Sequence, residues 1–224
     1  MNKIDWSTYK FHCSGLSNIM VNARKKDELL SETTKSYLTK IYIKEVWGRE
    51  PTDMLANKYT QKGIMCETDS LNLVEKVLNK SYFKNNKELH NDFIVGTPDV
   101  INPDLIDIKT SWDIFTYAAV DEKKATADYF YQLLGYMWLT GKKMARLTYC
   151  LVDTPDQMMT DELYRLSFKI PEDQVDGYTR NYKFEDIPQE LRVKQFVFNF
   201  DESLIADLIL KIHASREYLQ TIKL

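Results

Sequence analysis

The chain has 224 residues and a formal net charge of −3, and 44% of its residues are apolar. This length is sufficient for one hydrophobic core, and the composition is that of a globular protein. No segment approaches the roughly 18 apolar residues that a membrane-spanning helix requires, and the residues after Met1 lack the apolar stretch of a secretory signal. We therefore expect an intracellular protein that makes no membrane contact.

The cysteines and the net charge bound the possible cofactors and partners. Cys13, Cys66 and Cys150 are far apart and form no C-x-x-C pair, which predicts reduced thiols. An iron–sulfur cluster is not expected, because such clusters normally take four cysteine ligands. The negative charge argues against an entirely basic surface. It does not exclude nucleic acid, because an acidic metal site lowers the total charge while local lysines line a groove.

The first third of the chain is predicted to be mainly helical. A short helix and a charged connection occupy residues 14–30. Ser31 is a favourable N-cap for a helix that runs towards Gly48, where a glycine can end it. A further helical region covers residues 54–80 and is expected to bend near Gly63.

Glu67 is the unusual residue of this last region. At 100° per residue it falls between Ile64 and Leu71 on a predicted apolar stripe, an unfavourable position for a carboxylate that has no partner. Alternatively, Glu67 lies at the edge of the stripe, where it reaches solvent or pairs with a lysine. The sequence leaves both interpretations open.

A β-hairpin is predicted around Asn102-Pro103-Asp104, because these residues favour turns and β-prone residues flank them on both sides. With this three-residue loop, Val100 faces Ile106 and Asp99 faces Asp107 in an antiparallel pair. A loop one residue longer or shorter would move the two acids out of register.

The hairpin would bring two acids and a lysine together. Directly opposed side chains lie about 5 Å apart on one face, so Asp99 and Asp107 repel each other unless a cation or a shared proton relieves them. Lys109 is on the same face as Asp107, because side chains alternate along a strand. Hard divalent cations take oxygen ligands of this kind. The alternative is a solvated hairpin with acids at its mouth.

After a connection that includes a helical turn, residues 126–140 predict a largely buried helix that ends at Gly141. Gln132 and Tyr136 are four residues apart, so they share a face and can point together at the sheet. The alternative for both is a packing role at the edge of the core.

The remaining pattern predicts an α/β fold with a mixed central β-sheet flanked by helices, N-terminal helices and a C-terminal strand-helix extension. We expect one domain over residues 1–224. Within it we predict N-terminal helices over residues 1–50, a core of about 54–152, an extension 153–224, strands at 144–152, 163–170 and 192–200, a surface excursion at 171–190 and a closing helix at 201–223.

These motifs, in this order, resemble the PD-(D/E)xK nuclease superfamily, and within it the branch of lambda exonuclease, YqaJ-type viral recombinases and RecB-type exonucleases. The likeness covers about residues 63–152, is weaker around Ser14-Gly15, and implies a restriction-endonuclease-like αβββαβ core. The residues that carry it are Pro98-Asp99 and Asp107-Ile108-Lys109 for the signature, Gln132 to Tyr136 for the Q-x-x-x-Y motif, and Lys62-Gly63 with Glu67 for the helical glutamate motif.

The resemblance implies a Mg²⁺ site, in which Mn²⁺ can substitute. Its ligands would be Asp99, Asp107, Glu67 and the backbone carbonyl of Ile108. Lys109 would orient the attacking water and offset charge on the phosphate.

Further roles follow from the same resemblance. Gln132 and Tyr136 would position the metal site or the DNA strand, and Arg24 is the candidate for binding a terminal phosphate. The other DNA-binding candidates are Lys62, Ser111 and Trp112. Stacking of Trp112 or Tyr117 on an unpaired base is a further possibility.

The function implied is a Mg²⁺-dependent DNA exonuclease of phage or mobile-element type, acting on linear duplex ends in the cytoplasm of a bacterial host. Such an enzyme would supply single strands for recombination, with a homo-oligomer and a single-strand annealing protein as possible partners. Two alternatives remain open: a structure-selective or restriction-like endonuclease, and a non-catalytic DNA-binding or assembly protein on a nuclease fold.

Overall fold

The computed structural model describes residues 4–51 and 57–223. Helices and strands are mixed through these ranges, as expected for an α/β protein. The helices are α1 Leu16–Ile19, α2 Glu32–Trp47, α3 Lys58–Met65, α4 Glu67–Leu78, α5 Ile114–Ala118, α6 Glu122–Thr140, α7 Asp156–Ser167, α8 Glu172–Val175 and α9 Ser203–Thr221. The strands are β1 Phe11–His12, β2 Leu89–His90, β3 Ile94–Gly96, β4 Ile106–Thr110, β5 Met144–Cys150 and β6 Val193–Asn199.

The strands form two mixed three-stranded sheets, where we predicted one central sheet. The first has the order β1-β3-β2, with β1 parallel and β2 antiparallel to β3. The second has the order β4-β5-β6, with β4 parallel to β5 and β6 antiparallel to it. Val100 extends the second sheet, because it forms antiparallel bridges to Ile106 on one side and to Lys84 on the other.

Local capping explains the two helices whose ends agree best with prediction. The Ser31 hydroxyl accepts a hydrogen bond from the N–H of Thr34 at the start of α2, and Gly48 ends that helix with a left-handed φ of 63°. Asp121 caps α6, which begins a few residues earlier than expected, and Gly141 ends it with a φ of 71°.

The helical region after residue 57 differs from prediction in its phase. The break falls at Cys66, between α3 and α4, and Gly63 lies inside α3 with open space around its α-carbon. This break rotates the buried face, so that Cys66 and Val74 are buried while Ile64 is 70% exposed. The predicted position of Glu67 on the inward face is therefore wrong; it is the first residue of α4 and is half-buried.

The predicted strand at 163–170 is also wrong, because most of that segment belongs to α7. The segment carries both patterns, because Tyr164, Leu166, Phe168 and Ile170 alternate as in a strand, whereas Met159, Leu163 and Leu166 have helical spacing. None of the residues of α7 is fully buried, so the alternating residues are not held on a buried face as they would be in a strand. The predicted surface excursion at 171–190 includes two exceptions, because Phe184 is completely buried and Val175 is only 9% exposed.

One hydrophobic cluster joins distant parts of the chain, from Trp6 through Leu133 and Leu147 to Leu219. A second cluster packs α4 against β4 and β5 through Val74, Ile106 and Cys150. The domain boundaries stay a prediction. No helix in the described ranges is long and apolar enough to cross a lipid bilayer.

Candidate active site

The predicted register of the hairpin is confirmed. Val100 and Ile106 exchange both backbone hydrogen bonds, at 3.1 and 3.0 Å. The next residues outwards, Asp99 and Asp107, are therefore a facing pair. The pairing is a single bridge and not a full ladder. Asp99 replaces the next rung with its side chain, since its Oδ2 accepts the N–H of Ile108 at 2.6 Å.

Asp107 is held from behind by α6. Only 2% of the residue is exposed, and its Oδ1 accepts a hydrogen bond of 3.0 Å from Nε2 of Gln132. The same amide nitrogen donates to the hydroxyl of Tyr136, also at 3.0 Å. The expectation that Gln132 and Tyr136 point together at the sheet is confirmed, and both brace the more buried of the two acids.

Lys109 lies between Asp107 and an aromatic ring. Its Nζ is 2.8 Å from Asp107 Oδ2 and 4.8 Å from the ring centroid of Tyr129. Burial alone would lower the pKa of Lys109, but Asp107, Tyr129 and Asp99 together raise it above its ordinary value. Lys109 is therefore a cation, and in this arrangement it is paired with Asp107.

Asp99 carries the electrostatic strain of this arrangement. Its pKa is raised from 3.8 to about 7, first by burial and then by the charge of Asp107, with a smaller contribution from Glu67. The hydrogen bond from Ile108 and the charge of Lys109 oppose this rise without cancelling it. A positive charge added beside these acids would therefore be favourable.

Glu67 reaches the same place from α4. A cleft of about 410 Å³ is lined by Glu67, Asp99 and Lys109 together with Tyr59 and Tyr129. The carboxylate of Glu67 pairs with Lys84, which precedes the hairpin in the chain. The interpretation of Glu67 as an edge residue paired with a lysine is the one that the structure confirms.

The predicted metal ligands can be tested for fit. Asp107 Oδ2 is buried and, within the described residues, accepts no aligned hydrogen bond; Lys109 approaches it only as an ion pair. The N–H of Ile108 points at Asp99, away from β5, and the carbonyl of a strand residue points to the same side as its N–H. Carboxylate and carbonyl oxygens of this kind suit a hard divalent cation.

The acids do not yet converge in this arrangement. Among residues 4–51 and 57–223, no three His, Cys, Asp or Glu side chains stand close enough to hold a metal ion. The ammonium groups of Lys109 and Lys84 occupy the positions beside Asp107 and Glu67. The residue types fit Mg²⁺, provided that these side chains turn when it binds.

Three of the predicted DNA contacts are contradicted by burial. Lys62 is completely buried, and Ser111 and Trp112 are 6% and 4% exposed. The Lys62 Nζ donates to the carbonyl of Trp112 at 2.8 Å and lies 5.4 Å from the ring centroid of Phe184. Burial lowers the pKa of Lys62 to about 8. This lysine joins α3 to the loop after β4. Arg24 is exposed and stays a prediction.

The two candidates for base stacking are wrong for the same reason. Trp112 packs edge-on against Tyr59 and Tyr182, while the Tyr117 hydroxyl donates to the carbonyl of Leu191. Neither ring faces solvent, as both are less than a tenth exposed.

Two residues of the site, Tyr129 and Lys84, were not predicted from the sequence. Tyr129 precedes Gln132 by three residues and Tyr136 by seven, so helical spacing places it on the same face of α6, and this signal was available. Lys84 has no local signal, because its contact with Glu67 depends on how the chain returns beside the hairpin.

Solved structures with this fold are known. A phage-related exonuclease from Haemophilus somnus 129PT is 26% identical, with a TM-score of 0.77, over 95% of this chain and 94% of that one. The alkaline exonuclease LHK-Exo from Laribacter hongkongensis is 14% identical, with a TM-score of 0.63, over 96% and 91% of the two chains. The LHK-Exo complex with dAMP matches with a TM-score of 0.61 at 15% identity, over 94% of this chain and 88% of that one. No protein-family profile and no curated protein sequence matches.

The chain therefore has the fold of phage-related and alkaline exonucleases, over nearly its whole length. This confirms the resemblance drawn from its motifs and the predicted α/β fold class. The likeness to LHK-Exo is one of fold alone.

Proposed function

We propose that the protein is a metal-dependent DNA exonuclease that hydrolyses phosphodiester bonds at the 410 Å³ cleft. One observation carries this proposal: Asp99, Lys109 and Glu67 line one cleft, with Asp107 directly behind it on the same strand as Lys109. The exonuclease neighbours support the class of reaction, and the dAMP bound to LHK-Exo supports a deoxynucleotide ligand.

In this proposal the metal would be held by Asp99, Asp107, the carbonyl of Ile108 and Glu67. The chemistry that Mg²⁺ or Mn²⁺ supplies when bound is polarisation of the phosphate and a lower pKa for an attacking water. Lys109 lines the same cleft, and once its ammonium turns from Asp107 it would offset negative charge on the phosphate and orient the nucleophile.

The residues on α6 act through Asp107. Gln132 donates to one carboxylate oxygen, which leaves the other oxygen directed at Lys109 and the cleft. Tyr136 completes this arrangement by accepting from the same amide. Burial first, and then the charge of Asp107, raises the pKa of Tyr136, so its hydroxyl stays protonated at neutral pH. Both are positioning residues.

For the biological role, we propose end resection during phage or mobile-element recombination in the cytoplasm of a bacterial host. The substrate would be linear duplex DNA. A homo-oligomer and an annealing protein that receives the single strand are the partners that fit this role.

The test is a titration of Mg²⁺ and of Mn²⁺ with end-labelled linear DNA and closed circular DNA. We expect the wild-type chain to degrade linear DNA, to spare the circle, and to lose activity in EDTA. Lys109→Ala and Asp107→Ala should each lower the rate by at least about 100-fold, the size seen when one charge-stabilising group is removed. Nicking of the circle would favour the endonuclease, and no cleavage by the wild-type chain would favour a non-catalytic binding protein.

A further inference from the structure

The segment between α4 and β2 runs alongside the hairpin and is fixed to it. Lys80 pairs with Asp104 at 2.9 Å, and the Tyr82 hydroxyl donates to the same carboxylate at 2.9 Å. Farther along, Lys84 forms an antiparallel bridge with Val100. We call residues 80–87 the edge segment, because Lys84 pairs with the side of Val100 that faces away from β4, at the edge of the second sheet.

Asn85 ties the edge segment directly to the acidic cleft. Its backbone N–H donates to the carbonyl of Asp99 at 2.7 Å, and its side-chain nitrogen donates to the carbonyl of Pro98 at 3.0 Å. Its side-chain oxygen accepts the N–H of Lys87 at 3.1 Å, which shapes the turn that follows. The distance from the edge segment to the acids is therefore set by hydrogen bonds.

The side chains of this segment point in two directions. Tyr82 is 5% exposed whereas Phe83 is 85% exposed, the largest exposed fraction among the large apolar side chains that the structure describes. Alternation along an extended chain places Phe83 on the side opposite to Tyr82 and Lys84. A phenylalanine ring in water thus lies one residue from the lysine that contacts Glu67, and Lys87 is also exposed.

An exposed aromatic ring with an exposed lysine four residues along the chain has the chemistry that binds unpaired nucleic acid. Bases stack on aromatic faces without regard to sequence, and ammonium groups follow the phosphates. We propose that the edge segment binds a single DNA strand on its solvent-facing side, next to the cleft, with Phe83 stacked on an unpaired base and Lys87 near the phosphates. This deepens the proposed function and rests on it for the identity of the ligand.

The test measures binding of the full chain to a fluorescein-labelled oligothymidine by anisotropy in EDTA, where metal-dependent cleavage is silent. We expect Phe83→Ala to weaken binding about 10-fold, since one base stacked on an aromatic ring contributes that order of affinity. Phe83→Trp should keep the affinity of the wild type. Lys87→Ala should reduce the salt dependence of binding by about 0.7 in the log–log slope. Lys84 is left unchanged because it pairs with Glu67.

Matched controls lie outside the edge segment. Phe168→Ala removes a ring that is 73% exposed, and Lys123→Ala removes an exposed lysine at the start of α6. Loss of affinity in Phe83→Ala but not in Phe168→Ala supports the inference.

The failures are distinguishable. If the wild-type chain cuts linear DNA while Phe83→Ala binds the oligothymidine as well as Phe168→Ala does, the inference is overturned and the proposed function stands. If the wild-type chain neither binds nor cuts DNA, the inference and the proposed function are both overturned.

Discussion

Asp99→Asn is expected to make the metal-free protein more stable above pH 7. The folded-state pKa of Asp99 is about 7, against an ordinary value of 3.8, because burial and the charge of Asp107 disfavour its ionised form. Stability from this group is fully present below about pH 4 and is lost as the pH rises through about 7. This pKa difference corresponds to a loss of at most about 4 kcal/mol in the free energy of unfolding at high pH. Solvent at the cleft mouth screens part of it, so we expect about 2 kcal/mol.

The asparagine keeps an oxygen that can accept the N–H of Ile108, so the loss of charge is the main change. Urea unfolding in EDTA at pH 5 and at pH 8 gives the free energy of unfolding of the wild type and of Asp99→Asn. Only the part of the loss between pH 5 and about 7 is sampled, so we expect the variant to gain about 1 kcal/mol relative to the wild type between these two pH values. Mg²⁺ at pH 8 should stabilise the wild type and not the variant, because a ligand stabilises only the state that binds it. If the free energy of unfolding had the same pH dependence in both proteins, the raised pKa of Asp99 would be refuted.

Three further substitutions have defined outcomes. Tyr129→Leu should lower the cleavage rate several-fold with little change in KM, while Tyr129→Phe should not, because the ring and not the hydroxyl contacts the Lys109 ammonium. Gln132→Leu should lower the free energy of unfolding by about 1–3 kcal/mol, measured in urea, because it leaves an oxygen of buried Asp107 without its donor. Lys62→Met should leave DNA affinity unchanged in an anisotropy titration, because this side chain is completely buried.

Each of these has a contradicting result. Equal rates for the two Tyr129 variants would remove the positioning role of the ring. An unfolding free energy of Gln132→Leu equal to that of the wild type would mean that Asp107 finds another donor. Weaker DNA binding by a folded Lys62→Met variant would support the predicted DNA contact of Lys62, which its burial contradicts.

The features of the site that sequence predicted are those set by local chemistry. The turn at Asn102-Pro103-Asp104 sets the length of the hairpin loop. That length pairs Val100 with Ile106 and therefore makes Asp99 face Asp107. Gln132 and Tyr136 follow from helical spacing alone. Such features need no knowledge of the rest of the fold.

The features that sequence did not predict depend on contacts between distant segments. The break at Cys66 changes the direction of α4, and a period drawn straight through it misplaced Ile64 and Glu67. Burial of Lys62 depends on the loop of Trp112 and on Phe184, both far away in the chain. A lysine beside a glycine resembles a surface cation until those partners are known.

The buried cysteines make the protein convenient for spectroscopy. Cys13, Cys66 and Cys150 are all at most 1% exposed and none is in a disulfide. Burial raises the pKa of Cys13 and of Cys150 to about 12, so neither forms the reactive thiolate at neutral pH. A dye or spin label attached to Phe83→Cys would therefore report on one position without removal of the native thiols, and could follow a nucleic-acid strand as it arrives and leaves.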